Sequence, residues 1–438
     1  MRLFLYAAFC LFLLAVAPAR AFTIQEVKSP GGITAWLVED HTVPLIAMNF
    51  SFAGGTAADP ADRQGLGNFL TTMLDEGAGD LPSREFQTRE QDLAMKLSFS
   101  ADADNFRGSF QTLSKNRDDA FAMLALALNA PRFDEDPINR MRAQLLLGLA
   151  ESLQDPDTIA NLALMRQLLG NHPYVGIGGG TPEGVKAITA ADLRALRERL
   201  FTRDTLRIGV VGDIDASQLG ALLDKTFGGL PAKSGMPKLP EIAPVTVSGL
   251  TVIERDIPQT IIQFGLSGIK RDDPDFVAAY VMNSILGGSG FGSRLMEEVR
   301  EKRGLAYSLG TDLVPMRLGG LYVGATATRN DKAAETVDII RKELARMAAD
   351  GVTPDELAEV KTYLTGSYAL RFSSGARTAG QLLGIQEQGL GIDYVEKRNG
   401  LIEAVTVADV KRVAERLLKD KPIQFTLVGK PVGVSAAP

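Results

Sequence analysis

Cysteine is almost absent from this chain, and histidine nearly so: Cys10 is the single cysteine, and His41 and His172 are the only histidines. A chain so poor in thiols forms no internal disulfide and rests on packing alone. It has no thiol for nucleophilic catalysis and none for a structural zinc site. The two histidines stand too far apart in sequence to make a short-spaced ligand pair, and neither lies in a recognisable serine-triad motif. His41 falls in a turn beside Glu39 and Asp40, and His172 in a loop ending a helix, so both read as structural. Basic runs are missing too. The chain has 47 Lys and Arg against 53 Asp and Glu, a net charge of −6, which argues against nucleic acid and anionic membrane surfaces.

Residues 1–21 have the pattern of a secretory signal peptide. Arg2 precedes an apolar run over 3–16, and Ala19, Arg20 and Ala21 precede Phe22. The run is too short for a membrane span, and the small residues suit cleavage after Ala21. The expectation is an exported, periplasmic protein whose net charge falls to −8 with the loss of Arg2 and Arg20. With 438 residues and 45% hydrophobic composition, the chain buries ample core in two domains or more.

The second half repeats the first. The stretch 187–200 matches 404–417, and the offset of 217 holds into Val210, Val211, Gly212 and Leu427, Val428, Gly429. Thr189 with Asp192 and Thr406 with Asp409 form capping-box-like pairs that start a helix in each copy. An apolar strand then follows at 206–211 and 423–428. Residues 231–249, rich in proline and glycine, read as a linker between domains spanning 22–230 and 250–438. Alternation over 97–103 and 106–113 predicts a hairpin, and Thr353, Pro354 and Glu356 start another helix. Strands grouped together with separate helices give an α+β class. Trp36 and the phenylalanines at 50 and 52 are core residues on this reading.

Two segments carry the chemistry. The first runs Gly65, Leu66, Gly67, Asn68, Phe69, Leu70, Thr71, Thr72, Met73, Leu74. It resembles the inverted zinc motif of the pitrilysin (insulinase-like) metallopeptidases, in which two histidines on one helix face bind zinc and a glutamate activates the water. Here those positions are Asn68, Thr71 and Thr72. Neutral amide and hydroxyl oxygens are poor zinc ligands, and no carboxylate remains to take a proton. The family's downstream glutamate ligand falls nearest Gly148 or Leu149, and Glu151 is off register. No metal is expected in this chain.

The second segment spans the glycine run 287–292 and reaches through Arg294 and Arg300 to Tyr307. A helix is expected over 294–303, ended by Gly304, with a strand from Ala306. On spacing alone, a solvated charged helix and a packed strand account for these residues as well as a site does. The glycine run lacks the Lys-Ser/Thr of a phosphate loop and the spacing of a dinucleotide fingerprint, and reads instead as a loop bordering a cleft. The segment resembles the Arg/Tyr element in the C-terminal half of pitrilysin-family enzymes, which holds the substrate's backbone and carbonyl oxygen opposite the zinc.

The resemblance covers nearly all of the chain beyond the leader. It implies two homologous domains, each a mostly antiparallel sheet backed by helices, forming half of a clamshell. It further implies a non-catalytic subunit of a heterodimer whose partner, a homologous chain, carries the zinc. Arg300 and Tyr307 are the expected substrate-binding residues, and an unfolded peptide the expected substrate. The rival expectations are a structural scaffold subunit and a peptide-binding module without hydrolysis.

Overall fold

A computed structural model describes residues 23–176, 179–288 and 292–434, so the leader and its cleavage point lie outside the described residues. The first half supplies strands β1 (Gln25–Lys28), β2 (Thr34–Glu39), β3 (Leu45–Ala53), the short ribbon β4 (Gly77–Ala78) and β5 (Leu81–Pro82), β6 (Lys96–Ala101), β7 (Asn105–Leu113) and β8 (Arg207–Gly212). Its helices are α1 (Leu66–Thr71), α2 (Ser83–Asp92), α3 (Arg117–Asn129), α4 (Glu135–Ser152), α5 (Pro156–Leu169), α6 (Pro182–Ala187), α7 (Ala190–Leu200) and α8 (Ala216–Phe227). The second half supplies β9 (Gly249–Glu254), β10 (Gln259–Ser267), β11 (Leu309–Met316), β12 (Gly319–Arg329) and β13 (Gln424–Gly429). Its helices are α9 (Phe276–Asn283), α10 (Arg294–Met296), α11 (Ala333–Asp350), α12 (Pro354–Gly366), α13 (Gly375–Glu387), α14 (Tyr394–Glu403) and α15 (Val407–Leu418). The fold is α+β, with sheets backed by helices.

The duplication is written into the sheets. The first has the order β1-β2-β8-β3-β7-β6 and the second β11-β12-β10-β13-β9. Leaving β1 aside, each follows one path, with a single parallel pair at the corresponding place, β2 with β8 and β9 with β13. Both capping boxes found by the repeat are made, at Thr189 with Asp192 and at Thr406 with Asp409. A shared packing device marks the middle of each sheet. Phe50 on β3 faces Gly108 on β7, and Phe264 on β10 faces Gly324 on β12. A Cβ on Gly108 would lie 2.1 Å from the Phe50 ring, and one on Gly324 would lie 2.2 Å from the Phe264 ring. Only a residue without a side chain lets each ring lie flat on its neighbour strand.

One face of each sheet is covered by helices of its own half, and the other by a helix from the opposite half. Helix α5 packs on β10 and β13, whereas α13 packs on β3 and β8. Covered on both faces, β8 is buried from Ile208 to Gly212 and β13 along its whole length. Trp36, Val38 and Val211 are thus buried under Ala379, Leu382 and Ile385 of the second half. The polar contacts repeat as well: Asn49 Nδ2 donates to the Ala376 carbonyl at 3.2 Å, and Gln263 Nε2 to the Asp157 carbonyl at 3.2 Å. Arg107 on β7 grips Glu387 on α13 through two bonds of 2.8 Å. Residues 231–248 contain neither helix nor strand, yet Val245 within them is buried. Among the described residues no helix is long and apolar enough to cross a membrane.

Candidate functional site

Helix α1 carries the positions of the zinc motif, and a buried carboxylate organises its start. Asp59 accepts hydrogen bonds from the N–H groups of Gly65 and Gly67, each 2.9 Å. Gly65 has φ of 102°, a left-handed value that glycine adopts without strain. Burial pushes the Asp59 carboxyl up to about 6, against the pull of those N–H groups. Sequence reading missed this cap, although an aspartate just ahead of a Gly-Leu-Gly helix start was its signal.

The helix stops at Thr71. The Thr71 hydroxyl donates to the Asn68 carbonyl at 2.6 Å, and the Thr72 hydroxyl to the Phe69 carbonyl at 2.9 Å. Both hydroxyls therefore serve the backbone of their own turn. Leu149 lies buried on α4, while Glu151 is exposed. Two positions along a helix correspond to a rotation of about 200°, so Glu151 points away from the face Leu149 occupies. Among the described residues no three His, Cys, Asp or Glu side chains gather as a metal-holding group. This donor set does not fit zinc, and no step of chemistry is routed through a metal here.

The 294–307 segment differs from the expected helix and strand. One α-turn, Arg294–Met296, is followed by a wider π-turn, Glu297–Glu301. Gly304, at φ of 59°, then closes the end, its N–H donating to the Arg300 carbonyl at 2.9 Å. The strand begins at Leu309 rather than Ala306, leaving Tyr307 in the bend before it.

Charges that looked alike in sequence have separate tasks. Arg294 is buried, and its guanidinium donates to both carboxylate oxygens of Glu356, at 2.6 and 2.7 Å, and to the Gly351 carbonyl at 2.9 Å. That pairing holds the Glu356 carboxyl down at about 2. Lys302 and Arg303 fold back on Glu298, at 2.7 and 2.6 Å, and lower its pKa in that order of effect. Arg300 points elsewhere: its guanidinium carbon stands 5.4 Å from the centre of the Tyr307 ring, and its Nε is 3.6 Å from a Glu301 oxygen.

Tyr307 is 81% exposed, so it does not pack into the sheet as an ordinary strand residue. A cation against an aromatic face contributes about 0.5–1 kcal/mol at an exposed site, enough to orient both groups. A groove of about 510 Å³ is lined by Asn161 and Met165 of α5 together with Gly287, Ser308, Gly310 and Gly324; Ser308 follows Tyr307 in the chain, while Arg300 and Tyr307 are not on the lining. Of the glycine run, residues 289–291 lie outside the described residues. The structure thus brings Arg300 and Tyr307 together, whereas Asn68, Thr71 and Thr72 sit on α1, which packs among α4, α6, α7 and β6 of the first half. His41 pairs with Asp213 at 2.7 Å, which raises its pKa. His172 caps a short 3₁₀ turn and contacts the Pro240 carbonyl at 2.9 Å.

A duplicated α+β fold whose described residues gather no metal-holding group is the class this geometry defines. Residues 35–176 match the sequence pattern of the insulinase family, peptidase family M16, and residues 187–364 match that of the peptidase M16 inactive domain. A "non-peptidase homolog", YmxG of Helicobacter pylori, is 27% identical over 354 residues, 81% of each chain. An uncharacterised zinc protease of Mycobacterium tuberculosis is 29% identical over 408 residues, 92% of each. Among solved structures, a peptidase M16 inactive domain from Pseudomonas fluorescens superposes with a TM-score of 0.88 at 29% identity, over 95% of this chain and 99% of that one. A protease from Helicobacter pylori shares the fold, with a TM-score of 0.84 at 17% identity, over 93% and 99%. The chain belongs to the pitrilysin-like (insulinase, M16) family, as a non-catalytic member.

Proposed function

We propose that this chain is the substrate-holding subunit of a two-chain periplasmic peptidase, working beside a homologous partner that carries the zinc. The observation behind this reading is the Arg300–Tyr307 pair, an arginine set against an 81% exposed phenol. Arginine offers a fixed fork of donors, and tyrosine one donor on a stiff ring. Together they suit the carbonyl oxygens of an extended peptide, and they become most favourable as negative charge develops on the scissile oxygen. At positions 68, 71 and 72 this chain offers neither zinc ligands nor a carboxylate base, so on this reading hydrolysis belongs to the partner. The leader pattern of residues 1–21 supports export.

Kinetics of the reconstituted pair test this. Tyr307→Phe and Arg300→Ala should each leave assembly intact by size-exclusion chromatography. Each should lower kcat/KM by about a hundredfold, the usual loss of one oxyanion donor. Full turnover by both variants would remove the role and leave the chain a scaffold.

A further inference from the structure

A cavity of about 350 Å³ opens between α9, α13, α14 and β11, away from Arg300 and Tyr307. Its volume lies within the range of small-ligand pockets, and it is lined wholly by the second half, between three of its helices and a strand of its sheet. Three arginines line it, Arg271, Arg371 and Arg398, with the rings of Phe276, Tyr368 and Tyr394. They come from distant parts of the sequence, so no motif announced them. Asp312 is the one acidic residue on the described lining.

Arg398 is 6% exposed and has no carboxylate partner among the described residues. Its Nη1 donates to the Leu364 carbonyl at 2.7 Å and to Asn399 Oδ1 at 3.0 Å, and its guanidinium lies 4.2 Å from the Tyr368 ring centre. Its Nη2 makes no hydrogen bond among the described residues. Arg271 is fixed by Gln388 and by the Tyr394 hydroxyl, each at 2.8 Å, and lies 4.3 Å from the Phe276 ring centre. Arg371 is exposed and makes no ion pair among the described residues. Burial raises the Tyr368 pKa and Tyr394 adds to the rise, against the pull of Arg398 and Arg371.

Burying guanidinium without a counter-charge is unfavourable, and an incoming anion relieves that cost. Planar forks held on aromatic faces match a carboxylate in geometry and a ring or alkyl body in surface. Leu313 and Pro315 of β11 also line the cavity, and β11 is the edge strand of its sheet. An extended peptide beside that edge would deliver side chains toward the cavity at alternate positions.

We propose that this pocket binds a carboxyl group of an extended peptide, an acidic side chain or a free carboxyl terminus, carried next to an apolar or aromatic residue. The proposal stands apart from the Arg300–Tyr307 reading, because every group belongs to this chain and binding requires neither partner nor hydrolysis. The test is calorimetry on the isolated full chain with three probes. Two are short peptides of identical apolar and aromatic content, one with glutamates and a free carboxyl terminus, the other with glutamines and an amide terminus. The third is inorganic phosphate. The acidic peptide should bind about tenfold tighter or better, the worth of one charge-assisted hydrogen bond. Added salt should shrink that preference. It should vanish in the Arg271→Ala/Arg371→Ala double variant, whose thermal melt checks that the fold persists; Arg398→Lys, which keeps the charge but loses the fork, should reduce it. Equal affinity for the two peptides would overturn the proposal, as would a preference that survives the double variant. Binding of phosphate without either peptide would overturn it too, by assigning the cavity to small anions.

Discussion

At the residue scale, the second half separates charges that build from charges that face outward. Arg294 ties the end of the glycine run to the start of α12 through Glu356, which also completes the capping box of Thr353. Glu356→Gln leaves a buried guanidinium without its counter-charge and should cost about 2 kcal/mol at neutral pH. The pH dependence follows from the depressed carboxyl. Folding lowers Glu356 from 4.5 to about 2, so its contribution is full above pH 4.5 and disappears as pH falls from there toward 2. Denaturant melts of wild type and Glu356→Gln should therefore differ most near pH 7 and converge toward pH 2. A gap that stays constant with pH would contradict the pairing. Asp59 has the opposite sign: its raised carboxyl favours the fold below pH 3.8, and that contribution is lost as pH rises through about 6.

At the element scale, strands and helices are duplicated down to single contacts. Gly108→Ala and Gly324→Ala each force a methyl into a phenylalanine ring and should destabilise by about 1–3 kcal/mol. Gly148→Ala, in mid-helix with nothing within 4 Å of the added carbon, should instead stabilise by about 0.5–1 kcal/mol. Thermal melts of the three variants check both signs. Much at this scale was legible in sequence. The repeated Thr–Asp pairs located α7 and α15. The exchange of α5 and α13 was not legible, because an apolar helix face shows how much it buries and not which sheet it buries against. The π-turn at 297–301 was not legible either, since the charged pattern there fits an ordinary α-turn equally well. Nor could spacing decide the placing of Tyr307, since its exposure depends on the strand starting two residues later.

At the scale of the whole molecule, each half leaves one piece of peptidase chemistry in view. The first half keeps a helix in the place of a zinc helix, with threonine hydroxyls turned onto its own carbonyls. The second presents a cation against an exposed phenol. On the proposed reading, this chain holds a peptide that its partner cuts. The most direct measurement is therefore hydrolysis of a quenched fluorescent peptide, together with bound zinc, for the purified chain alone and for the chain mixed with a zinc-motif homologue from the same genome. The account expects no zinc and no turnover from the chain alone, and turnover in the mixture well above that of the homologue by itself. Zinc-dependent hydrolysis by this chain alone, or a mixture no faster than the homologue, would contradict it.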